Sequence, residues 1–478
     1  VGSGPRGLCF LSRRKVPAVS SQLDPRGFVQ MEGGEKAPYF IVPFDEHGTC
    51  VGPRAQAELV AQSANATDVY LFSHGWNNDW SGAMSLYRRF VDEFLEMRKK
   101  YWPEPDRPYK PLLAGIFWPS MVLVDESDAP PRIAGGDGGP VGIDTELISE
   151  VLALSANLPE GDRERFYELL NQPSVNQDET REIARIIYPW VGAVDTDLSE
   201  SEEEPDRLAE SWLQDDDIEA TTRVGGYVGQ ESDEARPQAA GGFLGLDPGR
   251  LLSSVNPRNI VRSLSVLMMK DRAGRVGANG VASLLSSLAR GPTNAAAVNA
   301  GPRIHLVGHS YGCKVVLSAL CAPDDEHAVV VDSVLLLQPA VSCYCFAEEN
   351  GVPGVRHPGG YLKALERSRL PIVCTFSNRD IPLSRLFHIA ARRQSDLGEV
   401  KIAGAPPSRY AALGGYGPQG VAASETINAT SAPQPYEAFS RKDVKVLGVK
   451  SHDLIRNHGD VSSSTTAWML LEQVRRSQ

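Results

Sequence analysis

Residues Arg303–Leu320 read RIHLVGHSYGCKVVLSAL. Arg303–Val307 is an apolar run of strand length, and Lys314–Leu320 has the composition of a buried helix. Between them stands Gly308-His309-Ser310-Tyr311-Gly312, a G-x-S-x-G at a strand-to-helix turn. Such a turn is a nucleophile elbow when it is tight enough to lift the serine hydroxyl clear of the sheet. Glycines two before and two after the serine remove the Cβ atoms that would clash there. The following helix aims its N-terminal amides and partial positive charge at the same point. Ser310 is therefore the candidate nucleophile.

Outward from the elbow, the same strand–helix rhythm recurs. Pro38–Asp45, Asp68–Phe72 and Pro111–Trp118 read as strands upstream, with helical spacing in Pro53–Ser63 and Ser85–Lys100. Ala328–Gln338, Pro371–Phe376 and Asp443–Val449 read as strands downstream, and Ser463–Arg476 as the last helix. Apolar runs alternating with helices predict an α/β fold, a mostly parallel central sheet with helices on both faces. The rhythm breaks between about Pro119 and Pro302. That stretch holds a Gly/Pro loop (Ala129–Pro140), helical segments at Ile143–Pro159 and Arg163–Trp190, an acidic run and a Gly-rich piece (Gly225–Gly249). Helical spacing returns at Pro257–Lys270 and Gly277–Arg290. The expected organisation is an irregular segment over 1–25, a first part of the core over 26–123, an insertion over 124–256, and a second part of the core over 257–478. The insertion is expected to be disordered where it is acidic, and to serve either as a lid or as a solvent-facing decoration.

Composition limits the function classes. The 478 residues are 42% hydrophobic and 23% charged, enough for a full core with an insertion. No run approaches the roughly 20 apolar residues of a membrane span, and residues 1–20 lack the apolar centre of a secretory signal. The net charge is −12, but Asp195–Glu219 alone carries twelve acidic residues and one arginine. With one acidic loop accounting for the charge and no basic stripe, a nucleic-acid partner is not expected. Seven cysteines without disulfide or zinc spacing read as buried thiols in a reducing, cytoplasmic setting.

Acyl transfer also needs donors for a developing oxyanion. The Tyr311 amide, next after the nucleophile, is one candidate. The second is expected in the loop after an earlier strand, where Leu71–Asp79 reads LFSHGWNND. There Gly75 allows the turn that aims the Trp76 amide into the pocket, with His74 beside it. The combination resembles the α/β-hydrolase superfamily, and most closely bacterial and fungal members with HGWN after the third strand, Trp-Pro after the fourth and GHSxG at the elbow. The matching residues are His74-Gly75-Trp76-Asn77, Trp118-Pro119-Ser120 and the elbow itself. Lys270-Asp271-Arg272-Ala273-Gly274 is similar to a further element of those proteins. The resemblance covers roughly Pro38–Leu123 and Pro257–Gln478, and implies a serine esterase or lipase-like hydrolase.

The nucleophile needs a base, and the base an orienting carboxylate, in the chain order Ser, acid, His. Asp380 follows the strand Pro371–Phe376 and is the position the resemblance indicates; Asp332, at the preceding strand, is the rival. His452 and His458 both lie between the last strand and the last helix. Asn457-His458-Gly459-Asp460 resembles the family's late histidine, which favours His458 over His452; His327, His357 and His388 are weaker candidates. His309, before the serine, is expected to pack or support the site, and His305 to sit in the core. No His or Cys pair has metal spacing, so neither a metal nor a cofactor is expected. The expected reaction is cleavage of a small-molecule or lipid ester through an acyl-enzyme on Ser310. The same triad serves amides, peptides and thioesters, and a hydrolase-fold protein that has lost catalysis and binds a partner is the reading from another class.

Overall fold

A strand with apolar side chains on both faces is stable only when both faces are covered. In the computed structural model the described residues are 27–30, 36–76, 78, 80–103, 108–120, 158–172, 174–191, 209, 254–255, 260, 268–290, 301–324, 326–351, 358–380, 383, 411–455 and 458–477. Their strands are β1 (Gly27–Gln30), β2 (Lys36–Pro43), β3 (Asp68–Ser73), β4 (Pro111–Phe117), β5 (Val175–Asn176), β6 (Ser254–Val255), β7 (Arg303–His309), β8 (Ser333–Leu337), β9 (Ile372–Phe376), β10 (Ser424–Asn428) and β11 (Val446–Lys450). Nine of them form one sheet in the order β1-β2-β4-β3-β7-β8-β9-β11-β10. Only β1 is antiparallel to its neighbour; every other pairing in this sheet is parallel.

The helices include α1 (Pro53–Ser63), α2 (Trp80–Tyr101), α3 (Glu160–Leu170), α4 (Gln177–Val191), α5 (Ala282–Arg290), α6 (Tyr311–Cys321), α7 (Leu413–Tyr416) and α8 (Ser464–Arg476). They divide the sheet's apolar side chains between two cores. Val69 and Leu71 of β3 share one core with Leu59 of α1, Leu284 of α5 and Val315 of α6. Tyr70 and Phe72 of the same strand join Phe90 and Phe94 of α2 and Trp468 of α8 in the other. Successive residues of one strand thus enter opposite cores, as the period of two requires. The fold is of the α/β class.

Several elements differ from expectation. The helical segment read over Arg163–Trp190 is two helices, α3 and α4, separated by β5, which pairs antiparallel with β6. The break has a local cause: Asn176 Oδ1 accepts from the amides of Asp178 and Glu179 (2.9 and 3.0 Å), while the Glu179 carboxylate accepts from the Asn176 amide (2.8 Å). That is a reciprocal capping box starting α4. β8 begins at Ser333 rather than Ala328. β1 and β10, at the two edges of the sheet, were not foreseen. The acidic run apart from Ala209, the Gly/Pro loop, the Gly-rich piece, residues 1–25, His357 and His388 lie outside the described residues. Most of the helical segments read at Ile143–Pro159 and Pro257–Lys270 does too. Among the described residues no helix is long and apolar enough to cross a membrane.

The elbow is set by close backbone packing. Ser310 has φ 55° and ψ −124°, in the region that glycine favours. At Gly312 a Cβ would lie 2.2 Å from the Ser73 carbonyl oxygen, so the first turn of α6 packs directly on the end of β3. At the opposite end of the strands, Asp68 is fully buried and receives Arg303 through two bonds of 2.8 Å, His305 Nε2 at 3.1 Å and Thr67 Oγ1 at 2.6 Å. His305 is buried in the sheet and stacks on Tyr70.

Burial alone would raise the Asp68 carboxyl, but His305 and Arg303 outweigh it and hold it at about 2, below its ordinary 3.8. A depressed carboxylate stabilises the fold above its unfolded pKa, and that contribution disappears as pH falls through the folded value. Urea unfolding of wild type and Asp68→Asn across pH 2–6 should therefore differ in slope. Wild type should lose roughly 2 kcal/mol more than the variant between pH 5 and pH 2. Parallel pH profiles would show that Asp68 is not held low.

Candidate active site

β7 delivers Ser310 to the end of the sheet, where its side chain makes no capping bond to α6. Its amide donates to the Leu337 carbonyl (3.1 Å), and its own carbonyl accepts from Cys313 and Ala340 (3.0 and 3.2 Å). With the backbone held from both neighbouring segments, the hydroxyl is fixed toward the loop before α8. There His458 Nε2 lies 2.8 Å from Ser310 Oγ. His458 Nδ1 lies 2.8 Å from Asp380 Oδ2. The structure thus joins Ser310, His458 and Asp380, which come from three separate loops, in one hydrogen-bonded line.

Asp380 is fully buried and well supplied with donors. Besides His458, Gln338 Nε2 donates to Oδ2 (2.8 Å) and the Leu383 amide to Oδ1 (3.2 Å). Burial pushes its carboxyl up, but the His458 charge and these hydrogen bonds outweigh burial and hold it below the ordinary carboxylate range. It remains an anion and a pure acceptor. The rival Asp332 sits elsewhere. Its Oδ2 accepts from the Ile304 amide (2.8 Å) at the start of β7, and Arg369 lies 3.3 Å from Oδ1. Ser310 follows the other end of that strand, about 20 Å away at roughly 3.3 Å per residue. His452 Nδ1 accepts from the Asn378 amide (3.2 Å), and its ring stands edge-on to Phe376 rather than against Ser310. His327 is exposed and pairs with Asp324.

The His74–Trp76 loop continues β3 across the top of Ser310. A Cβ on Gly75 would lie 2.6 Å from the Ser310 Cβ and 3.2 Å from its Oγ, so glycine here makes room for the hydroxyl. His74 is fully buried and its tautomer follows from its partners. The Trp118 amide can only donate, so Nε2, 3.3 Å away, accepts. Nδ1 then carries the proton and donates to the Gly75 carbonyl (2.9 Å). The Asn78 side-chain amide donates to the same carbonyl (3.2 Å) and to that of Trp76 (3.0 Å). In a trans peptide the N–H points opposite to the preceding carbonyl, so these bonds turn the Trp76 amide away from His74 and Asn78. Trp118 Nε1 donates to the His74 carbonyl (3.0 Å), the His74 amide donates to Tyr87 Oη (2.9 Å), and Ser120 Oγ donates to the Asn78 carbonyl (3.0 Å). Tyr311 is the first residue of α6, whose first-turn amides face back toward Ser310. Asn77 lies outside the described residues.

His309 is buried beside the line of three. Its Nε2 donates to the His458 carbonyl (2.9 Å), and the two rings are 5.1 Å apart. Leu413, Gly414 and Gly415 of α7 are buried, and the Gly414 carbonyl accepts from the Ser377 amide (2.9 Å) in the loop that carries Asp380. Asn78, Tyr87 and Gln338 escaped the sequence reading. Asn78 lay in a stretch whose role was suspected, with nothing to separate it from the Asn before it. Gln338 ends an apolar strand, and a polar residue just before Pro339 was the only signal. Among the described residues no cluster of His, Cys, Asp or Glu is suited to hold a metal ion. Set against models of known protein families, curated proteins and solved structures, the chain matches none of them.

Burial lowers His74 to about 4, against the opposing bond to the Gly75 carbonyl. Burial, then repulsion from His458, lowers His309 to about 3. Both rings should therefore stay neutral throughout pH 5–9. Carbon-detected NMR of ring-labelled protein, assigned with His74→Gln and His309→Gln, should show flat shifts for both over that range. A midpoint above pH 5 for either would contradict the packing described.

Proposed function

We propose that this protein is a serine hydrolase of the α/β-hydrolase fold, cleaving a carboxylic ester through an acyl-enzyme on Ser310. The observation that carries the reading is the line from Ser310 Oγ to His458 Nε2 and from His458 Nδ1 to Asp380 Oδ2, each link 2.8 Å. A hydroxyl in hydrogen-bond contact with an imidazole that is held by a buried carboxylate is the arrangement that activates a serine. Its construction on the end of a parallel sheet, behind a left-handed serine turn, supports the fold assignment.

In the proposed reaction Ser310 Oγ attacks the ester carbonyl carbon while His458 Nε2 takes the hydroxyl proton. Asp380 stays ionised and stabilises the imidazolium. The amides of Tyr311 and Trp76 receive the oxyanion, the second aimed by the His74 and Asn78 bonds to the carbonyl that precedes it. Collapse of the tetrahedral intermediate breaks the C–O bond, and His458 returns its proton to the leaving alkoxide. Water, deprotonated by His458, then attacks the acyl-enzyme, and the acid leaves as Ser310 recovers its proton. These steps draw on no cofactor.

The choice of an ester rests on the likeness of HGWN, Trp-Pro and GHSYG to serine esterases. Small-molecule and lipid esters are the proposed substrate class. Amides, peptides and thioesters are the alternatives that share the chemistry. A cytoplasmic setting belongs to the same proposal, supported by the six described cysteines, all free thiols.

Fluorophosphonate labelling read by intact mass tests the reading directly. Wild type should take one adduct, Ser310→Ala none, and His458→Ala and Asp380→Asn should react at least about 1,000-fold more slowly. An unlabelled but folded wild type would sink the hydrolase proposal and favour a binding protein. With an ester panel, Gly75→Ala should lower turnover at least about 100-fold, because its methyl displaces the nucleophile and the second oxyanion donor together. Wild-type turnover in that variant would show that the loop does not lie over the reacting centre.

A further inference from the structure

Ser310 is not the only residue near the site whose backbone takes a conformation suited to glycine. Gln338, directly after β8, has φ 45° and is completely buried. A non-glycine residue keeps such a conformation only where its surroundings over-determine it. The amide's orientation is fixed by its partners. Asp380 Oδ2 (2.8 Å) and the Gly414 carbonyl (3.4 Å) can only accept, so Nε2 faces both. Oε1 accepts from Thr375 Oγ1 (3.0 Å), which in turn accepts from the Gln338 amide (2.9 Å). The side chain is thereby clamped to the middle of the sheet and can approach Asp380 from one direction only.

We propose that Gln338 is a positioning residue of the triad, sharing Asp380 Oδ2 with His458 so that it fixes the carboxylate's orientation and limits how strongly that oxygen holds the His458 proton. The proposal rests on the hydrolase reading of the site. Asp380 Oδ2 divides its electron density between two donors, and removing one leaves the other bound to a more basic oxygen. His458 would then be held as imidazolium to higher pH, where it cannot accept the serine proton. Among the described residues, the titratable groups in contact with the His458 ring are Asp380 from the loop after β9, His309 from β7 and Ser310, whose hydroxyl is not charged. His309 is neutral, so Asp380 supplies the charge against it; Asp460, in the same loop as His458, is exposed.

Two variants separate this role from a structural one. Gln338→Met keeps the volume and loses the donor. Gln338→Gly loses the side chain and relieves the left-handed backbone, so it keeps the test alive if the first does not fold. Each should show kcat reduced by about 10- to 100-fold, the range expected for a lost hydrogen bond to a charged group, with KM little changed. In each, the acidic limb of the kcat/KM profile should move up by about one pH unit. The His458 ring titration, followed by NMR and assigned with His458→Gln, should move upward by the same amount, and this readout does not depend on turnover. Folded variants with wild-type kcat and an unmoved His458 midpoint would overturn the role of Gln338 while leaving the triad intact. Absence of serine labelling in wild type would instead remove the hydrolase reading, and the His458 midpoint would still decide whether Gln338 tunes the pair.

Discussion

The backbone of α6 at Gly312 and the backbone of β3 at Ser73 approach so closely that no side chain fits between them, and the candidate site is built on that contact. β3 runs on into His74 and Gly75, while α6 begins just after Ser310. Pressing the start of one against the end of the other therefore brings the serine and the glycine of the neighbouring loop into contact, with 2.6 Å between the Ser310 Cβ and the place where a Gly75 Cβ would be. A larger residue at either position would separate the two loops. The parallel sheet makes this geometry possible, since adjacent parallel strands end on the same side and their following loops meet there.

Charge is concentrated and neutrality is enforced within a few residues of each other. Asp380 is kept ionised by donors from three directions, and His458 links it to Ser310. Two buried histidines beside this line, His74 and His309, are held neutral by burial, and each gives a ring proton to a backbone carbonyl. One of those carbonyls belongs to Gly75 and the other to His458, so the neutral rings act as fixed donors that hold the two loops flanking the serine. The buried Asp68–Arg303–His305 cluster lies at the other end of the same strands. It ties β3 to β7 away from Ser310, His458 and Asp380.

Backbone strain follows the same division. Three described non-glycine residues have positive φ, and two of them, Ser310 and Gln338, terminate the neighbouring strands β7 and β8. The third, Asn350, is exposed and of a type that tolerates this conformation. The Ser310 amide is bonded to the Leu337 carbonyl and the Ala340 amide to the Ser310 carbonyl, so each turn braces the other.

Much of this was legible in the chain itself, because it depends on residues close in sequence. Apolar runs alternating with helical spacing specify a parallel sheet, and the glycines around Ser310 specify a tight strand-to-helix turn. The spacing of Asp380 and His458 after their strands made them candidates for the same end of the sheet. Where two residues met the same local pattern, spacing alone did not separate them, and only the resemblance favoured Asp380 over Asp332 and His458 over His452. Asp332 and Asp380 both adjoin strands, and His452 and His458 share one loop; the tertiary packing of β7, β8, β9, β11 and their loops puts one of each pair in the line with Ser310 and the other against a backbone amide. The edge strands β1 and β10 were hidden because an edge strand has no need of a continuous apolar run. Gln338 and Asn78 were hidden for a related reason. The partners of Gln338 lie 37 to 76 residues away, and Asn78, whose side chain bonds carbonyls two and three residues off, is also tied to Ser120, 42 residues on; the long-range bonds exist only once packing has brought the partners together and excluded the water that would otherwise satisfy them.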